Sequence, residues 1–264
     1  YINLLTNTPL SISVGERGTV LIAQELSVGT DNDIYEIAAS EGAYPENAST
    51  ADKKLAKLAL MGAKTVLLYK LPTAHTDEHV ETMLEALKTV DFDVLVYPYA
   101  KSGTAASAAQ QKIAAWIKAM QDDEGKNVTA VLPNYPADTE YIINNTQGTV
   151  LSDGSSLTAY ETAAWIGGIT AGASITKSNT AQKFEGAIDV VPRMTRSEQE
   201  TAIKAGKFIL DVDRSQNVTV VADINSLTSI GQSKSDIMKQ NRSVRTACGI
   251  RSDIQSVWDA NIKG

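Results

Sequence analysis

Four short apolar runs, largely β-branched or aromatic, punctuate the first half of the chain at residues 20–23, 65–69, 93–97 and 128–132. Each is bounded by turn residues, and runs of this length without polar alternation suit strands buried on both faces. Between them the apolar positions switch to a helical period. Leu55 and Leu58 precede Gly62 as a stop; Val80, Met83, Leu84 and Leu87 form a second set, and Ile113, Trp116, Ile117 and Met120 a third. The last two sets fit the i, i+3, i+4, i+7 stripe of a helix with one buried face. Thr76 followed by Asp77 and Glu78 marks a helix start, because carboxylates are favoured at the positive end of the helix dipole. Strand and helix alternate at least three times, which predicts an α/β fold with a mostly parallel sheet covered by helices.

Two short β-like pieces, 141–143 and 149–151, flank an Asn-rich turn and are expected to extend or edge that sheet. Thr158 and Glu161 then have the spacing of a capping box, in which each side chain satisfies a free amide of the other's turn. The helix that follows, 158–173, is rich in small residues, among them Gly167, Gly168 and Gly172. A helix-interior glycine costs about 1 kcal/mol relative to alanine, so this helix needs close backbone packing. It is either a central helix lying on its own sheet or a contact between subunits. After a polar connection at 177–183 the pattern becomes α+β. Thr195 and Glu198 form a second capping box, the helix runs to Gly206, and 208–212 and 218–222 alternate as the strands of a β-hairpin around the turn 213–217. Polar helical sequence follows at 235–245 and 250–262, with Ile250, Ile254, Val257 and Trp258 on one face. The change of pattern divides the chain into an α/β body domain, 1–182, and a smaller α+β C-terminal domain, 183–264.

Composition narrows the function classes. The 264 residues are 43% hydrophobic and 21% charged, ordinary for a folded protein, and no run approaches the ~20 apolar residues of a membrane span. Tyr1 is preceded by no initiator methionine and followed by no signal-peptide pattern, so the chain is expected to start inside a longer protein. Cys248 is the only cysteine, which excludes an intrachain disulfide and a cysteine zinc cluster. The net charge of -7 is uneven: residues 1–184 carry 13 basic and 21 acidic side chains, residues 185–264 carry 11 and 10. An acidic body argues against nucleic-acid binding. Lys239, Arg242, Arg245 and Arg251 form a basic stretch that is either a solvated helix face or a surface docking onto an acidic neighbouring subunit.

Candidate chemistry is sparse. Doubly wound sheets bind ligands at the carboxyl ends of their strands, but Gly15 and Gly18 precede the first strand, and neither GxGxxG nor GxxxxGK[ST] occurs. His75 and His79 are the only histidines; the zincin HExxH and a third ligand are missing, so they read as solvated surface histidines. No GxSxG surrounds a serine. The pairs Asp31/Asp33, Asp122/Asp123 and Asp211/Asp213 read as solvated loop and hairpin residues, without the spacing of a calcium loop. Nine tyrosines are scattered without a basic stripe, which gives no stacking platform for single strands. No catalytic, cofactor-binding or metal-ligating residue is expected. An enzyme on a flavodoxin-like or Rossmann-like sheet, with an unrecognised small-molecule site, stays open as the alternative.

Two longer segments carry a resemblance. Residues 162–187, TAAWIGGITAGASITKSNTAQKFEGA, resemble the small-residue helix, polar linker and following strand of contractile phage tail sheath proteins from myophages and prophages. Residues 222–245, ADINSLTSIGQSKSDIMKQNRSVR, are similar to that family's terminal stretch, in which a strand end leads into a helix carrying Asn-Arg. The final WDANIKG is similar to the start of the family's Ile-Gly-Lys motif, with the order here Ile262, Lys263, Gly264. The resemblance covers the last 100 or so residues in sequence and the rest in architecture. It implies a structural subunit, not an enzyme, that self-assembles in rings around an inner tail tube protein, with a baseplate as a further partner. It also implies contraction by subunit rearrangement without nucleotide hydrolysis or cofactor, and contact with neither nucleic acid nor membrane. The implied place is the virion tail sheath, assembled in the bacterial host cytoplasm; a secretion or bacteriocin-like injection machine is the neighbouring possibility. In the family, arms from neighbouring subunits add strands to the C-terminal domain's sheet, a form of β-augmentation, and the hairpin 208–222 is the candidate receiving edge. The implied subunit contacts are Gly167, Gly168, Gly172, Phe208, Leu210, Val218, Val220, Arg242 and Arg245. Both arms are missing from this chain, which is therefore expected to be monomeric in solution.

Overall fold

The computed structural model describes residues 18–38, 44–99, 108–231 and 235–262. The first half of the chain runs β1 (Thr19–Glu25), β2 (Ile34–Ile37), α1 (Thr50–Leu60), β3 (Thr65–Leu71), α2 (Asp77–Ala86), β4 (Val94–Val96), α3 (Ala108–Asp122), β5 (Thr129–Val131) and β6 (Ile142–Asn145). The second half continues β7 (Gly148–Leu151), β8 (Ser156–Leu157), α4 (Ala159–Gly172), β9 (Ala187–Val191), α5 (Arg196–Lys204), β10 (Lys207–Phe208), β11 (Leu210–Val212), β12 (Val218–Val220) and α6 (Asn241–Ile262). Seven strands form one sheet in the order β10-β6-β5-β4-β1-β3-β2. All neighbours are parallel except β2, which closes one edge antiparallel to β3.

The two faces of this sheet follow from alternation along its strands. Val20, Ile22, Val66, Leu68, Val94, Val96 and Val131 point to the side covered by α1 and α4. Leu21, Ala23, Tyr69, Leu71, Leu95, Ala130 and Leu132 point to the side covered by α2 and α3. The stripes Val80, Met83, Leu84, Leu87 and Ile113, Ile117, Met120 fill that second layer as their periodicity predicts. The predicted capping boxes form at Thr158 and Thr195, and α1 carries a third at Ser49 and Asp52.

Three expectations change. Residues 149–151 do not extend the main sheet: β6 does, but β7 turns away into a three-stranded antiparallel sheet, β8-β7-β9. The buried Asn145 side chain directs the turn, accepting from Gln147 N–H at 3.2 Å and donating to Gln147 O and Ala159 O. The stretch 208–212 is not one strand. Phe208 belongs to β10, parallel to β6 on the main sheet, and the chain changes partner at Ile209 so that β11 pairs with β12. The two terminal helical stretches are one α6 running through Gly249, preceded by a 3-10 turn, Asp236–Lys239. A single interior glycine weakens a helix without breaking it.

Candidate assembly surfaces and the switch-point crevice

The glycines of α4 are where this chain's own layers meet. A Cβ at Gly167 would lie 2.4 Å from Val96 Cγ2, one at Gly168 would lie 2.1 Å from Ala59 O, and one at Gly172 would lie 1.8 Å from Gly62 O. All three are below any real carbon contact, so α4 sits backbone against backbone on α1 and presses onto β4. Trp165 locks the same helix from its other side, stacked on Phe184 with ring centroids 4.2 Å apart. Lys54 of α1 reaches Glu161 in the first turn of α4 at 2.6 Å. Gly167 and Gly168 are buried, while Gly172 is exposed at the helix end. The contacts described at these positions lie within the chain.

Phe208 of β10 and the hairpin residues Leu210, Val218 and Val220 all turn their side chains into the core. Its edges are largely occupied. Ala181 N–H donates to Val220 O, Phe184 N–H to Val218 O, and Val220 N–H to Gln182 O, so residues 181–184 cover β12. On β11, Leu210 N–H donates to the buried Gln147 Oε1 at 2.8 Å. Half-buried Val212 is left as the open part of that edge among the described residues.

The basic stretch divides. Arg242 is exposed, but Arg245 is neither solvated nor available to a neighbour: its Nη2 lies 3.0 Å from Asp223 Oδ2, with the two side chains 3% and 1% exposed. Arg245 follows Val244 on the inward side of α6, where Asp223 also accepts from Asn179 N–H and from Asn241 Nδ2. Further along, Arg251 donates to Gln121 O and Asn127 Oδ1 at 2.8 and 2.9 Å. Lys239 donates to Lys204 O at 3.1 Å. The helix is thus attached mainly through polar bonds. Its apolar stripe faces outward, with Ile250, Ile254, Val257 and Trp258 exposed by 55%, 65%, 56% and 55%.

The main sheet has a topological switch point between β1 and β4, where successive connections run in opposite directions. Such crevices hold ligands in doubly wound sheets. Here it is filled by side chains that satisfy one another. His75, expected as a solvated histidine, has a side chain only 9% exposed. Its Nδ1 lies 2.6 Å from Glu25 Oε1 at the end of β1, and its Nε2 lies 2.7 Å from Tyr97 OH just past β4. His75 N–H also donates to Glu25 Oε1, and Glu25 N–H donates to Tyr99 OH at 2.7 Å. Burial raises the Glu25 carboxyl, but the bonds and charge of His75 outweigh it and hold it below the usual range. Burial, with Glu25's charge adding, pushes the Tyr99 phenol up to about 12, and Tyr97 is raised in the same sense. Neither phenol is activated as a nucleophile, and the cluster binds the β3–α2 connection to two strand ends. The i, i+4 spacing carried no signal of this, because His75 lies before the helix and its partners come from other strands. His79 accepts Thr76 N–H at 3.0 Å, as part of the α2 cap.

The acidic pairs do not converge. Asp31 pairs with Lys70, Asp122 with Lys118 and Tyr141, and Asp213 accepts from Ser215 and Asn217 in the hairpin turn. Among the described residues no group of three or more His, Cys, Asp or Glu is placed to hold a metal, and no helix is long and apolar enough to cross a membrane.

Known proteins share this chain's sequence and fold. It is 34% identical over 223 residues to the uncharacterized protein YqbK of Bacillus subtilis (strain 168), covering 84% of this chain and 46% of that one. The chain therefore spans about half the length of that relative. The crystal structure of a sheath tail protein from Desulfitobacterium hafniense superposes with a TM-score of 0.84 at 25% identity, over 98% of this chain and 82% of that one. The helical sheath of the anti-feeding prophage in its contracted state shares the fold, with a TM-score of 0.70 at 13% identity over 98% of this chain and 76% of that one. Residues 73–226, from the edge of the His75 crevice through the glycine-packed α4 to the end of the hairpin, match the phage tail sheath protein central domain, and the chain belongs to the phage tail sheath family.

Proposed function

We propose that this chain is the body of a structural subunit that packs against copies of itself around an inner tail tube. It shifts between extended and contracted lattices by moving as a rigid unit, without nucleotide hydrolysis. The observation that carries this reading is the family match over residues 73–226, joined to a core in which α4, α1 and the sheet interlock at backbone contact. Interiors packed this closely transmit force instead of deforming, which is what a lattice that stores energy between subunits needs from each of them. The tube and a baseplate are the further partners, assembly takes place in the bacterial host cytoplasm, and the Val212 edge of β11 is where an added strand from a neighbour would start. Arg242 is the basic side chain placed to meet an acidic neighbour.

The test is electron microscopy of a version extended at both ends to the length of the relatives. Tubes of uniform diameter are expected, and an extended version that stays monomeric under all conditions overturns the reading. Thermal-shift measurements against nucleotides, flavins and divalent metals address catalysis at the crevice, since a true ligand raises the melting temperature with its concentration. No shift is expected.

A further inference from the structure

We infer that α6 lifts off the body as one unit while the layered core stays folded. The inference goes beyond the sheath reading, because it divides the chain into an interlocked body and a helix carried on it. Among the described residues no α6 side chain belongs to either apolar layer of the core or packs against one. Val244 and Cys248 are the buried apolar residues of the helix. Departure of α6 therefore opens neither layer and exposes little apolar area, and that area sets the cost of a local opening.

Polar bonds carry the attachment, and most of them end on connections between elements. Asn241 Nδ2 and Arg245 Nη2 donate to the Asp223 carboxylate at 2.8 and 3.0 Å, Arg245 Nη2 also to Lys177 O at 2.6 Å, and Thr246 Oγ1 to Ile175 O at 2.6 Å. Asn127 Nδ2 donates to Cys248 O at 2.9 Å, and Arg251 donates back to Asn127 and to Gln121 at the end of α3. When the helix leaves, such bonds exchange for bonds to water, so each contributes little net. The buried pair of Asp223 and Arg245 follows the same rule. Its attraction mainly offsets the solvation both charges gave up, and lifting α6 returns both to water, whereas removing one partner strands the other. The seam is also imperfectly filled. A cavity of about 10 Å³, lined by Thr129, Ile143, Thr170, Val244 and Cys248, lies where α6 meets α4, β5 and β6. The buried Thr170 hydroxyl on its wall has no hydrogen-bond partner among the described residues. Opening hydrates that hydroxyl, which favours release.

Cys248, the only cysteine of the chain and buried under the helix, reports the opening. Labelling of the full chain with a small thiol reagent, in rising urea below the unfolding midpoint, is compared with global unfolding followed at 222 nm. Cys248 is expected to react at least about a hundredfold faster than global unfolding permits, with a shallower urea dependence, because opening α6 exposes less surface. Amides of residues 244–251 should exchange with that same shallow dependence, and amides of β1 and α4 with the global one. Leu84→Ala deletes part of the core on α2. It should raise the globally unfolded population at least about thirtyfold and leave Cys248 labelling unchanged. Labelling that follows global unfolding in urea overturns the inference, as does an equal acceleration of labelling by Leu84→Ala; if that variant does not fold, the urea dependence of the wild-type chain decides alone. A Cys248 that reacts while the 244–251 amides stay closed is reached by local breathing, and that result overturns the inference too. Tube formation by the extended version is scored separately, so tubes from a chain whose α6 stays docked leave the sheath reading standing.

Discussion

Gly168→Ala puts the packing argument at risk with one methyl group. In an isolated helix the change is favourable by about 1 kcal/mol. In this protein the new Cβ would sit 2.1 Å from Ala59 O and 2.9 Å from Ala59 C and Cα. A carbon-oxygen contact needs about 3.2 Å, so α4 and α1 must separate by roughly 1 Å, and no rotamer relieves the overlap because the obstacle is backbone. Overpacking of this kind costs about 1–3 kcal/mol, and a backbone obstacle belongs at or above the upper end. After the propensity gain is subtracted, a net loss of about 2 kcal/mol remains. For a chain of this size that lowers the melting temperature by roughly 4–8 °C. Thermal unfolding followed at 222 nm measures it. Gly231→Ala is the control, since nothing lies within 4 Å of a Cβ there, and it should stay within about 0.5 kcal/mol of wild type. A Gly168→Ala variant that melts at or above the wild-type temperature would refute the backbone contact between the two helices.

Three further outcomes are expected. Arg245→Met should lower stability in urea by about 3–5 kcal/mol, because it strands the buried Asp223 carboxylate; pairing it with Asp223→Leu should recover part of the loss, and additive effects would contradict the coupling. For Asp52, burial raises the carboxyl but bonds from Ser27 and Ser49 prevail and hold it at about 2. Its native pKa is below its unfolded value, so its contribution, on the order of 2 kcal/mol, is present above pH ~4 and lost as pH falls through ~2; Asp52→Asn should flatten that part of the stability curve. His75→Gln breaks the Glu25 and Tyr97 bonds and should speed amide exchange of residues 73–79 at least tenfold, while α4 amides stay protected; equal exchange in the variant and the wild type would show that the cluster does not hold that connection.

The layered fold was legible in the chain because its signals are local. The 20–23 and 65–69 runs, the stripes of α2 and α3, and the capping pairs at Thr158 and Thr195 are satisfied within a few residues, so periodicity and hydrogen-bond chemistry determined them. The short strands β2, β8 and β9 escaped because two to five residues carry too little pattern, and they form only where a partner strand offers an edge. The break at Ile209 escaped for the same reason: the hairpin turn announces the pairing of β11 with β12, but β10 joins β6 through a pairing that no local feature announces.

The sites divide along that line. The demand of Gly167, Gly168 and Gly172 for a close neighbour was written in the helix, but the identity of that neighbour, α1 and β4, was decided by the stacking of layers. Arg245 looks like any surface arginine until Asp223 arrives beside it, and His75 looks solvated until β1 and β4 deliver Glu25 and Tyr97. A side chain's environment is set by what packs against it from distant parts of the chain, and in water only the folded arrangement brings those groups within bonding range. The stripe on α6 is the converse case: its pattern was plain in sequence, and the tertiary structure alone established that the body leaves it uncovered.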